Sequence, residues 1–227
     1  MQVEYVHSSP AAENLIVEMA RVSNPKNAKN YETGPKLIQY LLRCGHWSPL
    51  EMVSLCVRIH TTRDISSQII RHRSFSYQEF STRYAVTKKP QVPHFRLQDK
   101  KNRQNSYDTI PAELQADYQD QASRVIEESW SLYERLLQDG VARETARRIL
   151  PLCTPTTVLM HGTLRSWVHY LAVRCDPSTQ LEHREVALNV ASIFREKFPV
   201  VTEAAFEMDG APFPDTLPAR GSLNPSA

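Results

Sequence analysis

Residues 53–60 change chemistry at every step: Val53, Leu55, Val57 and Ile59 alternate with Ser54, Cys56, Arg58 and His60. A period of two puts the first set on one face of a strand and the second on the other. The chain must therefore build a sheet that buries one face of this strand and wets the other. Around it, helices and strands follow in no regular alternation. QVEYVH (2–7) reads as a short strand. Residues 10–22 and 35–43 read as helices opening at Pro10 and Pro35, the second with Leu37, Ile38, Leu41 and Leu42 at helical spacing. After the alternating stretch, Thr62 or Asp64 can cap a helix carrying Ile65 and Ile69 one turn apart. Pro111 opens the longest helix, with a stripe of Leu114, Tyr118, Ala122, Val125, Ile126, Leu132, Tyr133, Leu136 and Leu137, and Gly140 fits just past its end. A helix over about 142–150, a strand at 156–162, and helices marked by Leu164, Trp167, Val168 and Leu171 and by Val186, Val190, Ile193 and Phe194 complete the order. The class is α+β, without the steady alternation of a doubly wound sheet. Residues 1–208 read as one domain. Residues 86–110, polar and basic with two prolines, form an irregular excursion, and the tail 209–227 is expected to be disordered.

Composition bounds what such a domain does. With 227 residues, 41% hydrophobic, it holds a core without disulfides or structural metals. A net charge of +2 means that any cationic site is local. No apolar run is long enough to span a membrane and MQVEYVHSSP lacks a signal segment, so the expected location is cytoplasmic. Cys44, Cys56, Cys153 and Cys175 form no CxxC pair and are expected to pack in the interior. The six glycines never cluster, so neither GxGxxG nor GxxxxGK[ST] occurs. A nucleotide bound here would be held by side chains, chiefly arginines.

The residues for that task crowd into RHRSFSYQEFSTRY (71–84). If the helix from 63 runs on, Gln68, Arg71, His72 and Phe75 share one face, with Ile65 and Ile69 turned to the core. Beyond them, Glu79 accepts, Ser81 donates and accepts, and Arg83 offers a planar fork of donors. A phosphate monoester wants arginine and hydroxyl, a ribose diol wants a carboxylate, and a planar base wants an aromatic or guanidinium face. The plainer reading is a solvated basic helix end with Tyr77, Phe80 and Tyr84 as core packing. Arg174 lies one turn beyond Leu171, on the apolar side with Trp167, and needs Asp176, Glu182 or a ligand anion as partner. Arg147 either complements its helix dipole or meets an anion. In GHWSPLE (45–51), His46 and Glu51 lack a third metal ligand, and no metal is expected. His161, His169 and His183 read as independent histidines.

RHR, seven residues and Ser81 together resemble the RHRx7S signature of the flavin-dependent thymidylate synthases. GHWSPLE is similar to that family's GHxSPxE element, Gln68 stands three before the first motif arginine, and ARETARRILP and LAVRCDPSTQ resemble its later arginine segments. The resemblance spans roughly 10–200. It implies a homotetramer of α+β subunits, each with a mostly antiparallel central sheet flanked by long helices, and FAD bound where subunits meet. The implied reaction makes dTMP from dUMP, with 5,10-methylenetetrahydrofolate as methylene donor and NADPH as reductant. Carried over by motif, Ser48, Arg71, His72, Arg73, Glu79, Thr163, Leu164, Arg165 and His169 would contact FAD. Gln68, Ile69, Ile70, Arg71, Glu79, Phe80, Ser81, Thr82, Arg83, Arg147 and Arg174 would surround dUMP. Arg174 would polarise the pyrimidine, with no cysteine nucleophile.

The sequence departs from the family at Met52, Gln78, Thr163, His169 and Ser178, which bears on flavin and folate contacts. Two rival readings stand beside the resemblance. One is a nucleic-acid-binding surface over 58–103, using Arg58, Arg63, the cations of RHR (71–73), Lys88, Lys89, Lys100, Lys101 and Arg103. The other is a flavoprotein of the same fold without synthase activity.

Overall fold

The alternating stretch lies inside a four-stranded antiparallel sheet of order β1-β2-β6-β3, formed by Gln2–Ser8, Ser54–Thr62, Pro155–Thr163 and Phe75–Glu79. The computed structural model describes residues 1–207, and the tail expected to be disordered, 209–227, lies outside them. Register puts Leu55 opposite Gly162, Val57 opposite Met160 and Ile59 opposite Val158, so like faces coincide across β2 and β6. Leu55, Val57, Ile59, Val158 and Met160 are all fully buried. The opposite face carries Arg58, paired with Glu4 at 3.0 Å, and His161, whose ring lies 5.7 Å from that of His7.

Helices cover the apolar face because their own apolar stripes need it. In α6 (Leu164–Arg174), buried Trp167 donates its indole N–H to Leu55 O at 3.0 Å, tying helix to strand. In α7 (Leu181–Lys197), Val186, Val190 and Phe194 are fully buried beside it. The short α3 (Arg63–Ile69) adds Ile65 and Ile69, and α1 (Ala12–Ala20) and α2 (Gly34–Arg43) close the N-terminal side. The first helix is shorter than 10–22, since Ala11 adopts a left-handed conformation (φ 47°) before it. The helix expected over 142–150 is α5 (Arg143–Ala146) followed by a 3-10 turn at Arg147–Ile149.

One expectation needs correction, the interior placement of Cys44, and two gain detail. The excursion 86–110 is irregular, but it contains a small hairpin, β4 (Leu97–Gln98) with β5 (Ser106–Tyr107). Asp99 anchors it, accepting from the Lys101 amide at 2.7 Å and the Tyr107 hydroxyl at 2.6 Å. Cys56 and Cys175 are buried and Cys153 half-buried, whereas Cys44 is exposed at the C-terminal end of α2. The 27-residue α4 (Ala112–Gln138) ends before Gly140 at φ +81°, as anticipated, yet its stripe is mostly uncovered. Within it only Ile126 and Tyr133 are buried, while Leu114, Tyr118 and Val125 are exposed.

One close approach joins β3 to β6. Gly162 faces Phe75, and a Cβ at Gly162 would fall inside the contact distance of the Phe75 ring. That ring is wedged edge-on to Trp167 at 4.7 Å and cannot retreat cheaply. Gly162→Ala should therefore cost about 1–3 kcal/mol of stability, the usual range for overpacking. Its Tm should fall, and Phe75→Leu in the same chain should restore part of the loss. A second outcome concerns acid. His183, fully buried, bonds the Tyr170 hydroxyl at 3.1 Å and Gln68 Oε1 at 3.3 Å. Burial, then the Arg174 charge, pushes its pKa down to about 3 from 6.5. Unfolding thus takes up a proton between those values, and the stability is fully present only above about pH 6.5. Urea midpoints should drop as pH falls below 6.5, and His183→Gln should flatten that slope.

Candidate functional site

The arginine–histidine stretch does not continue the helix. α3 ends at Ile69, and the amides of Arg71 and His72 bond Gln68 O at 3.3 Å and Ile69 O at 3.1 Å, closing a tight turn. The Tyr77 hydroxyl, on β3, lies 2.9 Å from Ile69 O and 2.8 Å from His72 O. The face expected to unite Gln68, Arg71, His72 and Phe75 therefore does not form, because pairing of Phe75 with Gly162 pulls the chain into the sheet. Arg71 and Arg73 point to solvent, and no carboxylate of the described residues pairs with either. His72 turns inward, edge-on to Tyr170 at 4.9 Å, and accepts from Arg174 Nε at 2.8 Å. That bond requires a neutral imidazole protonated on Nδ1. Burial, then the Arg174 charge, lowers the His72 pKa and keeps the ring in that form.

Arg174 has neither expected acidic partner. Asp176 accepts from Ser178, and Glu182 is taken by Arg96 at 2.6 Å. Its guanidinium is held by the neutral His72 ring, and no carboxylate of the described residues pairs with it.

A second cluster surrounds Glu79. Its Oε1 accepts from Arg63 at 2.8 Å, Ser66 Oγ at 2.7 Å and Thr156 Oγ1 at 3.0 Å. Arg63 also reaches Thr82 Oγ1 at 3.0 Å, and Arg147 reaches the same oxygen at 3.1 Å. Glu79, Thr82 and Arg147 are thus brought together by Arg63, which sequence reasoning had counted only among the surface cations. Beside them Ser81 and Arg83 line a cavity of about 450 Å³ with Tyr84, Arg143 and Glu144, and Arg83 pairs with Glu144 at 3.0 Å. Gln68 donates to Gln180 Oε1 at 2.6 Å and bonds His183. His183 is thus not the independent histidine that the sequence suggests, and no local spacing marks it or Gln180.

The remaining residues carried over by motif for FAD lie toward the other end of α6. Thr163 caps this helix, accepting from the Ser166 amide at 3.3 Å, and Ser166 Oγ donates to Ser74 O in the arginine–histidine turn. Arg165 pairs with Glu51, exposed His169 packs on Trp47 at 4.8 Å, and Ser48 is exposed in the adjacent 3-10 turn. His46 lies edge-on to Tyr40, and the Glu51 carboxylate is taken by Arg165. Some carried-over residues have no side chain free for a ligand. Ile69 and Leu164 are fully buried in the core, and Thr82 is buried with its hydroxyl engaged. Ile70 is 43% exposed and Phe80 half-buried. Thr163 and Arg174 stand about 16 Å apart along the helix axis, so one chain does not gather all these residues into one cluster.

The basic surface over 58–103 is neutralised in part, with no ion pair at Lys88, Lys100, Lys101 or Arg103 among the described residues. Arg58, Arg63, Lys89 and Arg96 pair with Glu4, Glu79, Glu127 and Glu182. Among the described residues no helix is long and apolar enough to cross a membrane.

Comparison with known proteins places this geometry. A family model described as thymidylate synthase complementing protein matches residues 4–200. A flavin-dependent thymidylate synthase of Synechocystis sp. is 48% identical over 192 residues, covering 85% of this chain and 88% of that protein. A probable flavin-dependent thymidylate synthase of Paramecium bursaria Chlorella virus 1 is 44% identical over 194 residues, covering 85% and 90%. Among solved structures, the UMP/dUMP methylase PolB of Streptomyces cacaoi, bound with 5-Br dUMP, superposes with a TM-score of 0.80 at 28% identity, covering 89% of this chain and 93% of that one. Over this extent and at these identities, the chain belongs to the flavin-dependent thymidylate synthase family.

Proposed function

We propose that the protein converts dUMP to dTMP, with 5,10-methylenetetrahydrofolate giving the methylene carbon and NADPH the reducing equivalents through FAD. The observation that carries this reading is Arg174: a half-buried guanidinium held by a neutral imidazole rather than a carboxylate. Had it paired with Asp176 or Glu182, its charge would already be spent. Aimed at the pyrimidine, it would stabilise negative charge developing on the ring, as fixed donors do in an oxyanion hole.

The other groups divide by chemistry. Ser81, Arg83 and Arg147 supply hydroxyl and guanidinium donors suited to the phosphate monoester, while Gln68 offers an amide to the base. Glu79 uses one oxygen for Arg63, Ser66 and Thr156, which leaves Oε2 for a ribose hydroxyl. Arg71 and Arg73, exposed and unpaired among the described residues, suit the diphosphate of FAD. The flavin, when bound, supplies the two electrons that turn the transferred methylene into a methyl group. The cofactor residues at the two ends of α6 are too far apart for one compact cluster, which favours sites shared between subunits of a homotetramer. A cysteine mechanism has no support here. Cys175, next to Arg174, is buried, and burial pushes its thiol up to about 12.

Tritium release from 5-labelled dUMP, with methylenetetrahydrofolate, NADPH and FAD under anaerobic conditions, tests the reaction. Release is expected from the wild type, and Arg174→Ala should lower it by about a hundredfold or more with flavin absorbance retained. No release from a flavin-loaded wild type would leave a flavoprotein without synthase activity.

A further inference from the structure

Arg96 reaches from the excursion into the protein body. Its side chain is 12% exposed, and its guanidinium spans both oxygens of Glu182 at 2.6 and 2.9 Å while Nε donates to Ser106 at 2.9 Å. Glu182 Oε2 also accepts from Gln180 Nε2 at 3.0 Å. An ionised carboxylate cannot donate, so Gln180 must present its nitrogen to Glu182 and its oxygen to the other side. That oxygen accepts from Gln68 Nε2 at 2.6 Å. Gln68 Oε1 therefore faces His183 Nδ1, at 3.3 Å, which must donate, and His183 Nε2 is left to accept from the Tyr170 hydroxyl. One carboxylate thus sets the direction of every bond in a chain that ends at Tyr170.

We propose that Arg96 and Glu182 are positioning residues for substrate recognition: through Gln180 they fix the rotamer and amide orientation with which Gln68 meets the pyrimidine. This rests on the assignment of Gln68 to the base given above. The two ends of a carboxamide have nearly the same shape, so packing alone does not choose between them. A pyrimidine edge does distinguish them, because its C=O and N–H groups need a donor and an acceptor in fixed order. After its bonds to Gln180 and His183, Gln68 keeps one N–H and one lone pair for that purpose. The ionised state on which the ordering depends is maintained locally. Burial pushes the Glu182 carboxyl up, but the Arg96 hydrogen bonds and charge hold it below its ordinary value. The excursion thereby acquires a role: it carries the cation at the head of the chain.

A double-mutant cycle on the flavin-loaded protein, read by calorimetric titration with dUMP, tests this. Gln68→Ala should weaken dUMP binding about tenfold. Glu182→Gln, isosteric but able to donate, and Arg96→Met should each weaken it about five- to tenfold, roughly the worth of one net hydrogen bond. In the Gln68→Ala background each should have less than about a twofold further effect, since the group they orient is gone. Full additivity, or wild-type affinity in the Glu182→Gln protein, overturns the proposal. Should Arg96→Met fail to fold, Glu182→Gln alone carries the cycle. If Gln68→Ala binds dUMP like the wild type, the assignment of Gln68 itself fails, and the positioning role with it.

Discussion

The Tyr77 hydroxyl locks the arginine–histidine turn in the direction that pairing of β3 with β6 gives it. It meets the carbonyls of Ile69 and His72 together, one the last residue of α3 and the other inside the turn. The phenol's single proton is shared between these two carbonyls, which holds the turn beside the paired strand. The turn hands the chain to β3, where Phe75 takes its place opposite Gly162. Everything chemical follows from that reversal. His72 is carried inward to hold Arg174, Arg71 and Arg73 are left outward, and Glu79 arrives at the end of β3 against Arg63, Ser66 and Thr156.

The pattern of charges around Arg174 has its own logic. A buried ion pair would have held the guanidinium firmly but consumed its charge. Neutral neighbours hold it less strongly and leave the field directed outward. His72, Tyr170 and His183 provide such an environment: two imidazoles kept neutral by burial and a phenol between them. The negative charges nearby are spent on other cations, Glu182 on Arg96 and Glu79 on Arg63. Attraction and availability are separated in space.

Much of this was legible from local pattern. The alternation at 53–60, the apolar spacing of α6 and α7 and the glycine after α4 each report a periodicity or a backbone preference confined to a few neighbours. The failures share the opposite property. Nothing between Arg71 and Ser74 breaks a helix, and the reversal comes from pairing with a strand more than eighty positions away. Arg96 and Gln180 gain their meaning from partners 86 and 112 residues distant, Glu182 and Gln68, which no spacing rule reaches. The motif residues themselves were found through a resemblance, whereas the groups that orient them carry no signature. The stripe on α4 was read correctly as apolar, yet apolarity did not say that it would lie exposed in the single chain.

The α6 helix joins the two halves of this arrangement, with Thr163 at its head and Arg174 in its last turn. A helix is a rigid spacer with a fixed pitch, so adding one residue advances the far end by about 1.5 Å and rotates it by about 100°. Such a change would swing Arg174 away from His72 while leaving hydrophobicity and overall length almost unaltered. The excursion at 86–110, tied down at scattered points, can absorb insertions between them. Drift in length is thus open to the loop and closed to the helix, and divergence in this scaffold must proceed by replacing residues in α6 rather than by adding or removing them.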